Sequence, residues 1–142
     1  MGVTVESKNY SMDLGYIGFN RLRQKVADLT ADDIAQHYRN LKDGMYLFGD
    51  AKNEFFRQYN RRISELDEKY NGKFNYVLDF LYASDCEAEI HWDVCVKIYE
   101  VIKDYDDDII YGYSGRQNGA KFEDFKKIVK DCIDNKCDMT WF

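Results

Sequence analysis

The sequence predicts a mainly α protein, a compact bundle of five to six helices with one short two-stranded sheet at most. Three observations carry that expectation. Apolar residues recur at steps of three and four along six stretches, the period of a helix with one buried face. There is no proline among 142 residues, where about seven are usual, so no proline-rich linker divides the chain. Apolar residues make up 45% and charged residues 32%, which supports a packed core and argues against disorder. The length is that of a single helical domain, 1–142.

Val3 and Val5 alternate with polar neighbours, so residues 2–6 are a strand candidate. Gly15 and Gly18 follow, three apart, a spacing that breaks regular structure or permits close backbone approach. Phe19, Leu22, Val26 and Leu29 then mark the inward face of a helix, with Arg21, Arg23 and Lys25 expected on its outer side. Thr30 is the expected N-cap of the next helix, and Asp32 and Asp33 suit its first turn. Ile34, Tyr38 and Leu41 form its stripe and Gly44 its expected end. His37 stands beside that stripe with no second ligand in helical register and reads as structural.

After the apolar connection 45–49, the broadest stripe runs from Asp50 to Tyr70 through Phe55, Phe56, Tyr59, Ile63 and Leu66, with Gly72 as its terminator. A helix of that length spans about 30 Å, and it is the expected spine on which the others pack. Its arginines fall three or four residues from acids (Glu54/Arg57, Arg61/Glu65, Arg62/Glu65), which accounts for them as surface pairs. Phe74, Val77, Leu78 and Leu81 mark a shorter helix ending near Ser84. Val94, Cys95, Ile98, Val101, Ile102 and Tyr105 mark another, and Phe122, Phe125, Ile128, Val129, Cys132 and Ile133 the last. Between these two, residues 106–119 are the least regular part. Ile109 to Tyr113 is either a strand pairing with residues 2–6 or an exposed binding loop. Met139, Trp141 and Phe142 make a tail that needs a surface to dock on.

The charge is uneven. Residues 1–72 balance 11 basic against 11 acidic side chains, while residues 73–142 hold 9 against 15 and carry the whole net charge of −6. That balance argues against direct binding to a nucleic-acid backbone, which basic charge drives, and suits a partner protein with a basic surface. No apolar run is long enough to span a membrane, and the first 30 residues lack a signal-peptide core. Met1-Gly2 resembles a myristoylation start, but Glu6 stands where Ser or Thr is needed. The expected location is the cytoplasm, and four cysteines there are reduced thiols.

The constellations that suggest chemistry are incomplete. Asp85, Glu87 and Glu89 alternate as in a calcium loop, yet Ala83, Ala88 and Val94 fall where the first carboxylate, the turn glycine and the bidentate Glu belong. Asp104, Asp106, Asp107 and Asp108 are an acidic cluster, and consecutive carboxylates point different ways. Cys86, His91, Cys95, Cys132 and Cys137 lack zinc spacing. Cys86 or Cys95 with His91 is the candidate pair for a small cysteine enzyme. Gly112-Tyr113-Ser114-Gly115 lacks the residue that a serine elbow places between Ser and the second Gly. No phosphate-binding or dinucleotide loop occurs. These readings assign no metal, no cofactor and no catalytic residue.

Residues 11–23, Ser-Met-Asp-Leu-Gly-Tyr-Ile-Gly-Phe-Asn-Arg-Leu-Arg, and 84–105, from Ser-Asp-Cys-Glu to Lys-Asp-Tyr, resemble uncharacterised small proteins of Gram-positive bacteria and their phages. The resemblance extends over most of the chain and implies phage or mobile-element biology, in which small acidic proteins often act by occupying a host protein's surface. The expected function is therefore a non-catalytic, acidic protein-binding module, a candidate inhibitor of a host nucleic-acid-acting protein such as a CRISPR nuclease. Its expected contact residues are Asp104, Asp106, Asp107, Asp108, Ile110, Tyr111 and Tyr113. Carboxylates would steer the encounter and tyrosines would anchor it. A metal-responsive helix–loop–helix protein and a small cysteine enzyme are the alternatives.

Overall fold

The strand candidate at residues 2–6 is a strand, and it belongs to a larger sheet than the sequence predicts. The computed structural model describes residues 2–112 and 119–142. In chain order the elements are β1 (Val3–Glu6), β2 (Ser11–Leu14), α1 (Tyr16–Asp28), α2 (Asp32–Arg39), α3 (Leu41–Met45), α4 (Gly49–Lys69), α5 (Asn75–Leu81), β3 (Ala88–Ile90), α6 (Trp92–Ile102), α7 (Phe122–Asn135) and β4 (Met139–Trp141). Among the described residues, six helices have seven residues or more, and α3 is a single short turn. The fold is mainly α, with a four-stranded antiparallel sheet of order β2-β1-β4-β3 in place of the expected two strands.

The sheet is small because each strand is short, and it is stable because one face is buried. Val3, Val5, Met12, Leu14, Ile90, Met139 and Trp141 are all buried, at alternate positions on their strands. The register sets Val5 opposite both Met12 and Trp141, and Ile90 opposite Met139. The C-terminal tail thus docks as an inner strand, between β1 and β3. Residues 109–112 do not pair with β1; Ile110 makes an isolated bridge to Lys121 instead. Tyr113 lies outside the described residues.

The core lies between this face, α1, α5 and the α6–α7 pair. Phe19, Phe80, Phe125 and Trp141 form its aromatic centre, with Phe19–Trp141 ring centroids 5.3 Å apart and Phe80–Phe125 5.7 Å apart. The Trp141 indole N–H donates to the Ser84 carbonyl at 2.8 Å, so the one polar atom of this large ring is satisfied. The turn between β1 and β2 is held on α7 by Asp131. That carboxylate accepts from Ser7 Oγ at 2.7 Å, the Asn9 backbone N–H at 2.7 Å and the Asn9 amide at 2.9 Å. Burial pushes its pKa up, but these hydrogen bonds prevail and hold it below the usual value.

Several local expectations are corrected. Ala31, not Thr30, stands at the N-cap of α2, and the Thr30 hydroxyl donates back to Ala27 O at 2.6 Å. Gly44 lies inside α3 instead of ending α2; a Cβ there would come within 2.3 Å of the Phe55 ring. Leu41 starts α3 and does not continue the α2 stripe. Arg23 faces inward and is buried. The helix α6 stops at Ile102, before Tyr105.

The spine expectation also changes. α4 forms over the predicted span, and Asn71 (φ 54°) and Gly72 (φ 75°) end it in left-handed backbone. Yet only Tyr59 and Leu66 of its residues are buried. It is a flanking helix, attached through a reciprocal clamp to α2. The His37 imidazole stacks on the Tyr59 ring with centroids 3.8 Å apart. Tyr59 Oη donates to His37 O at 2.7 Å, and His37 Nε2 donates to Tyr59 O at 3.0 Å. The Tyr59 carbonyl can only accept, so Nε2 carries the hydrogen and Nδ1 accepts from the Tyr82 hydroxyl, 2.5 Å away. His37 is structural, as expected.

This clamp requires a neutral ring. Burial lowers the His37 pKa below 6.5, against the Tyr59 carbonyl and with the Arg62 charge. The unfolded chain therefore binds more protons in the window just below pH 6.5, and stability falls as pH drops through the folded pKa. We expect the urea midpoint to decrease from about pH 7 to about pH 5. His37→Gln should flatten the upper part of that slope, leaving the more acidic loss from Asp131 and Asp33, whose pKa values are lowered. An unchanged slope in that variant would remove His37 as its source.

Candidate partner-binding surface

The acidic segment after α6 is held in place by its neighbours at both ends and in its middle. Lys126 on α7 donates to the Tyr105 carbonyl at 2.7 Å. Lys25 on α1 lies over the Tyr105 ring at 5.1 Å, and Arg21 over the Tyr111 ring at 5.6 Å. Tyr111 N–H donates to Ala120 O at 2.8 Å. Gly18 of α1 lets this strand-like piece approach, since a Cβ on it would sit 1.7 Å from Tyr111 O.

The four aspartates divide into two roles. Asp107 turns inward: its carboxylate accepts from Tyr105 Oη at 2.8 Å, Tyr111 Oη at 2.8 Å and the Ile109 N–H at 3.0 Å. Asp104, Asp106 and Asp108 are exposed, and none of them has a cationic partner within 4.0 Å among the described residues. Ile109 stands beside them, 39% exposed. Ile110 is half-buried, and Tyr111 is buried under the loop, where burial first and the Asp107 carboxylate second push its phenol pKa up. The expected anchor Tyr111 thus serves the fold, and the outward face consists of three carboxylates and one aliphatic side chain. The distinction between Asp107 and its neighbours has no signature in the sequence, whereas close backbone approach was one of the two readings of the Gly15/Gly18 spacing, and it holds at Gly18.

A second exposed cluster lies at the start of α4. Met45, Tyr46 and Phe48 are 62%, 80% and 86% exposed. They belong to the connection that the sequence showed only as apolar.

The other constellations take structural places. Residues 88–90 form β3 and pair with β4, so Asp85, Glu87 and Glu89 do not curl into a calcium loop. Glu89 faces Asp138, whose hydrogen bond and charge raise its pKa. His91 caps α6, with Nδ1 2.7 Å from the Asp93 carboxylate. Cys95 and Cys132 are buried at the α6–α7 seam. Cys132 is pushed up by its neighbour Cys95 and by burial, Cys137 by burial, and Cys86 by the Asp85 carboxylate. An activated thiolate needs the opposite shift. Among the described residues no group of three or more His, Cys, Asp or Glu is placed to hold a metal ion. Among them, too, no helix is long and apolar enough to cross a membrane.

No family model, curated protein or solved structure matches this chain.

Proposed function

We propose that this chain is a non-catalytic protein-binding module that docks on a basic surface of another protein through the outward face of residues 104–110. A basic nucleic-acid groove is the surface that best fits three exposed carboxylates, which makes an inhibitor of a host nucleic-acid-acting protein the specific form of the proposal. The observation that supports it is the held conformation of the segment. Asp107 ties the loop down from inside while the side chains of Asp104, Asp106 and Asp108 are exposed. A loop ordered before binding loses less conformational freedom on docking than a floppy acidic tail would.

The test is retention of a partner from lysate of the host at low and at high salt. The wild-type protein should retain one nucleic-acid-acting protein at low salt and release it at high salt. The triple variant Asp104→Asn, Asp106→Asn, Asp108→Asn should retain none, and Tyr46→Ser with Phe48→Ser should behave as wild type. Equal retention by the triple variant, or loss that follows Tyr46 and Phe48 instead, would sink the proposal.

A further inference from the structure

The end of α7 sets two cysteines against each other. Lys136 adopts left-handed backbone (φ 49°). Its N–H donates to Ile133 O at 3.4 Å, and the Cys137 N–H donates to Cys132 O at 3.1 Å. This pair of bonds is the Schellman ending of a helix, in which the side chains of the two residues joined by the longer-range bond meet across the last turn. That contact is commonly apolar. Here its two members are Cys132 and Cys137, both free thiols.

The 3.1 Å hydrogen bond limits how far apart the two residues can be. With standard backbone dimensions it caps their Cα–Cα separation at about 7 Å, and the bend at the amide nitrogen brings it below that. Disulfides span about 4.4–6.8 Å between Cα atoms. The side chains point the right way too, since the two thiols are within hydrogen-bonding reach of each other. Cys95 of α6 is also within reach of Cys132, but Cys95 and Cys132 are fully buried. Cys137 is half-buried, so of these three it is the thiol that a dissolved reagent touches. The raised pKa values make neither Cys132 nor Cys137 a fast nucleophile. What the site offers is proximity: a sulfur that has reacted lies beside the one that displaces it.

We propose that Cys132 and Cys137 form a reversible redox site, oxidised by small disulfides of the glutathione class, whose bond staples the last strand to α7. The Cys137 thiolate attacks one sulfur of the small disulfide and expels one small thiol, leaving a mixed disulfide at Cys137. The Cys132 thiolate then attacks the Cys137 sulfur and expels the second small thiol. Two protein thiols become one disulfide while one small disulfide becomes two thiols, so electrons and protons balance. The bond closes a loop of six residues, 132–137, just before β4, the strand that pairs with both β1 and β3. It also holds Lys136 in a backbone conformation that a lysine rarely adopts.

The probe is millimolar oxidised glutathione, applied to the full chain carrying Cys86→Ser, because the exposed Cys86 takes up glutathione by itself. Thiols are counted under denaturing conditions and peptides are mapped by mass spectrometry. Of the three remaining thiols two should be lost, with Cys132 joined to Cys137 and no glutathione retained. The urea midpoint of the oxidised protein should rise by about 1 M, since a closed loop restrains the unfolded chain, and dithiothreitol should reverse the rise. Cys132→Ala removes the resolving sulfur, so glutathione should stay on Cys137. Cys137→Ser should leave Cys132 reduced. A bond from Cys132 to Cys95, a glutathione adduct that persists at Cys137 beside an intact Cys132, or survival of all three thiols would overturn the site. An unchanged midpoint would overturn the staple.

Discussion

Gly18→Ala should unfold the protein or dislodge residues 110–112, although alanine is the better helix former by about 1 kcal/mol in a helix interior. Gly18 lies in α1 with Tyr111 packed on it. A Cβ there would meet Tyr111 O at 1.7 Å and Tyr111 C at 3.0 Å, and both are backbone atoms. Neither can swing aside. Either α1 retreats from the core, carrying Phe19 and Leu22 with it, or the strand-like piece at Tyr111 lifts off and exposes a ring that is 2% accessible. We expect a loss of more than about 3 kcal/mol, in the range reserved for overpacked or strained sites. Urea denaturation measures it, and loss of amide-exchange protection at Tyr111, whose N–H is bonded to Ala120 O, identifies the place. Gly44→Ala is the comparison. Its Cβ meets the ring of Phe55, a half-exposed side chain of α4 that can give way, so the cost should be smaller. A Gly18→Ala protein within about 0.5 kcal/mol of wild type would refute the packing argument, since that is the ordinary scatter of harmless changes.

Trp141→Ala should cost about 3–5 kcal/mol, the usual range for emptying a core aromatic site. The ring is 1% exposed and lies against Phe19 and Phe80. Its truncation also strips the Ser84 carbonyl of its donor. The effect should spread further than a cavity would, because Trp141 is one of the two residues, with Thr140, at which β4 pairs with both β1 and β3. Trp141→Phe separates the contributions: it keeps most of the packing and loses the hydrogen bond, so about 1–2 kcal/mol is expected. A difference of less than about 1 kcal/mol between the Ala variant and wild type in chemical denaturation would mean that the tail is not part of the cooperative core.

Much of the helical framework was legible from spacing. Phe19, Leu22 and Val26 on α1, the α6 stripe through Ile98 and Ile102, and the α7 stripe from Phe122 to Cys132 all face inward as their period requires. What periodicity does not say is how completely a face is covered. Phe55, Phe56 and Ile63 of α4 have the right spacing and remain half-exposed, because a partner helix, not the stripe, decides burial. β2 and β3 are four and three residues long, too short for alternation to outweigh the neighbouring glycines and acids. Arg23 turned inward because the carbonyls at the end of α5 and the Phe19 face accept its guanidinium, a reason that only tertiary contact supplies. The acidic segment was visible by composition alone. The inward turn of Asp107 and Tyr111 was not.

The position of β4 between β1 and β3 has a consequence for synthesis. β4 emerges from the ribosome after both strands that it joins. Until then β1 and β2 exist as an isolated hairpin, which is marginal in water, and β3 has no partner in the sheet. Trp141 is also absent from the aromatic centre for as long as the nascent chain stops short of it. The closing step is a long-range pairing that spans nearly the whole chain, the kind of contact that slows folding. Helices can gather during translation, but the sheet can close only afterwards. A chain cut short before residue 139 presents unpaired strand edges and an open apolar face, features that promote aggregation. The sheet therefore cannot close until β4 has been made.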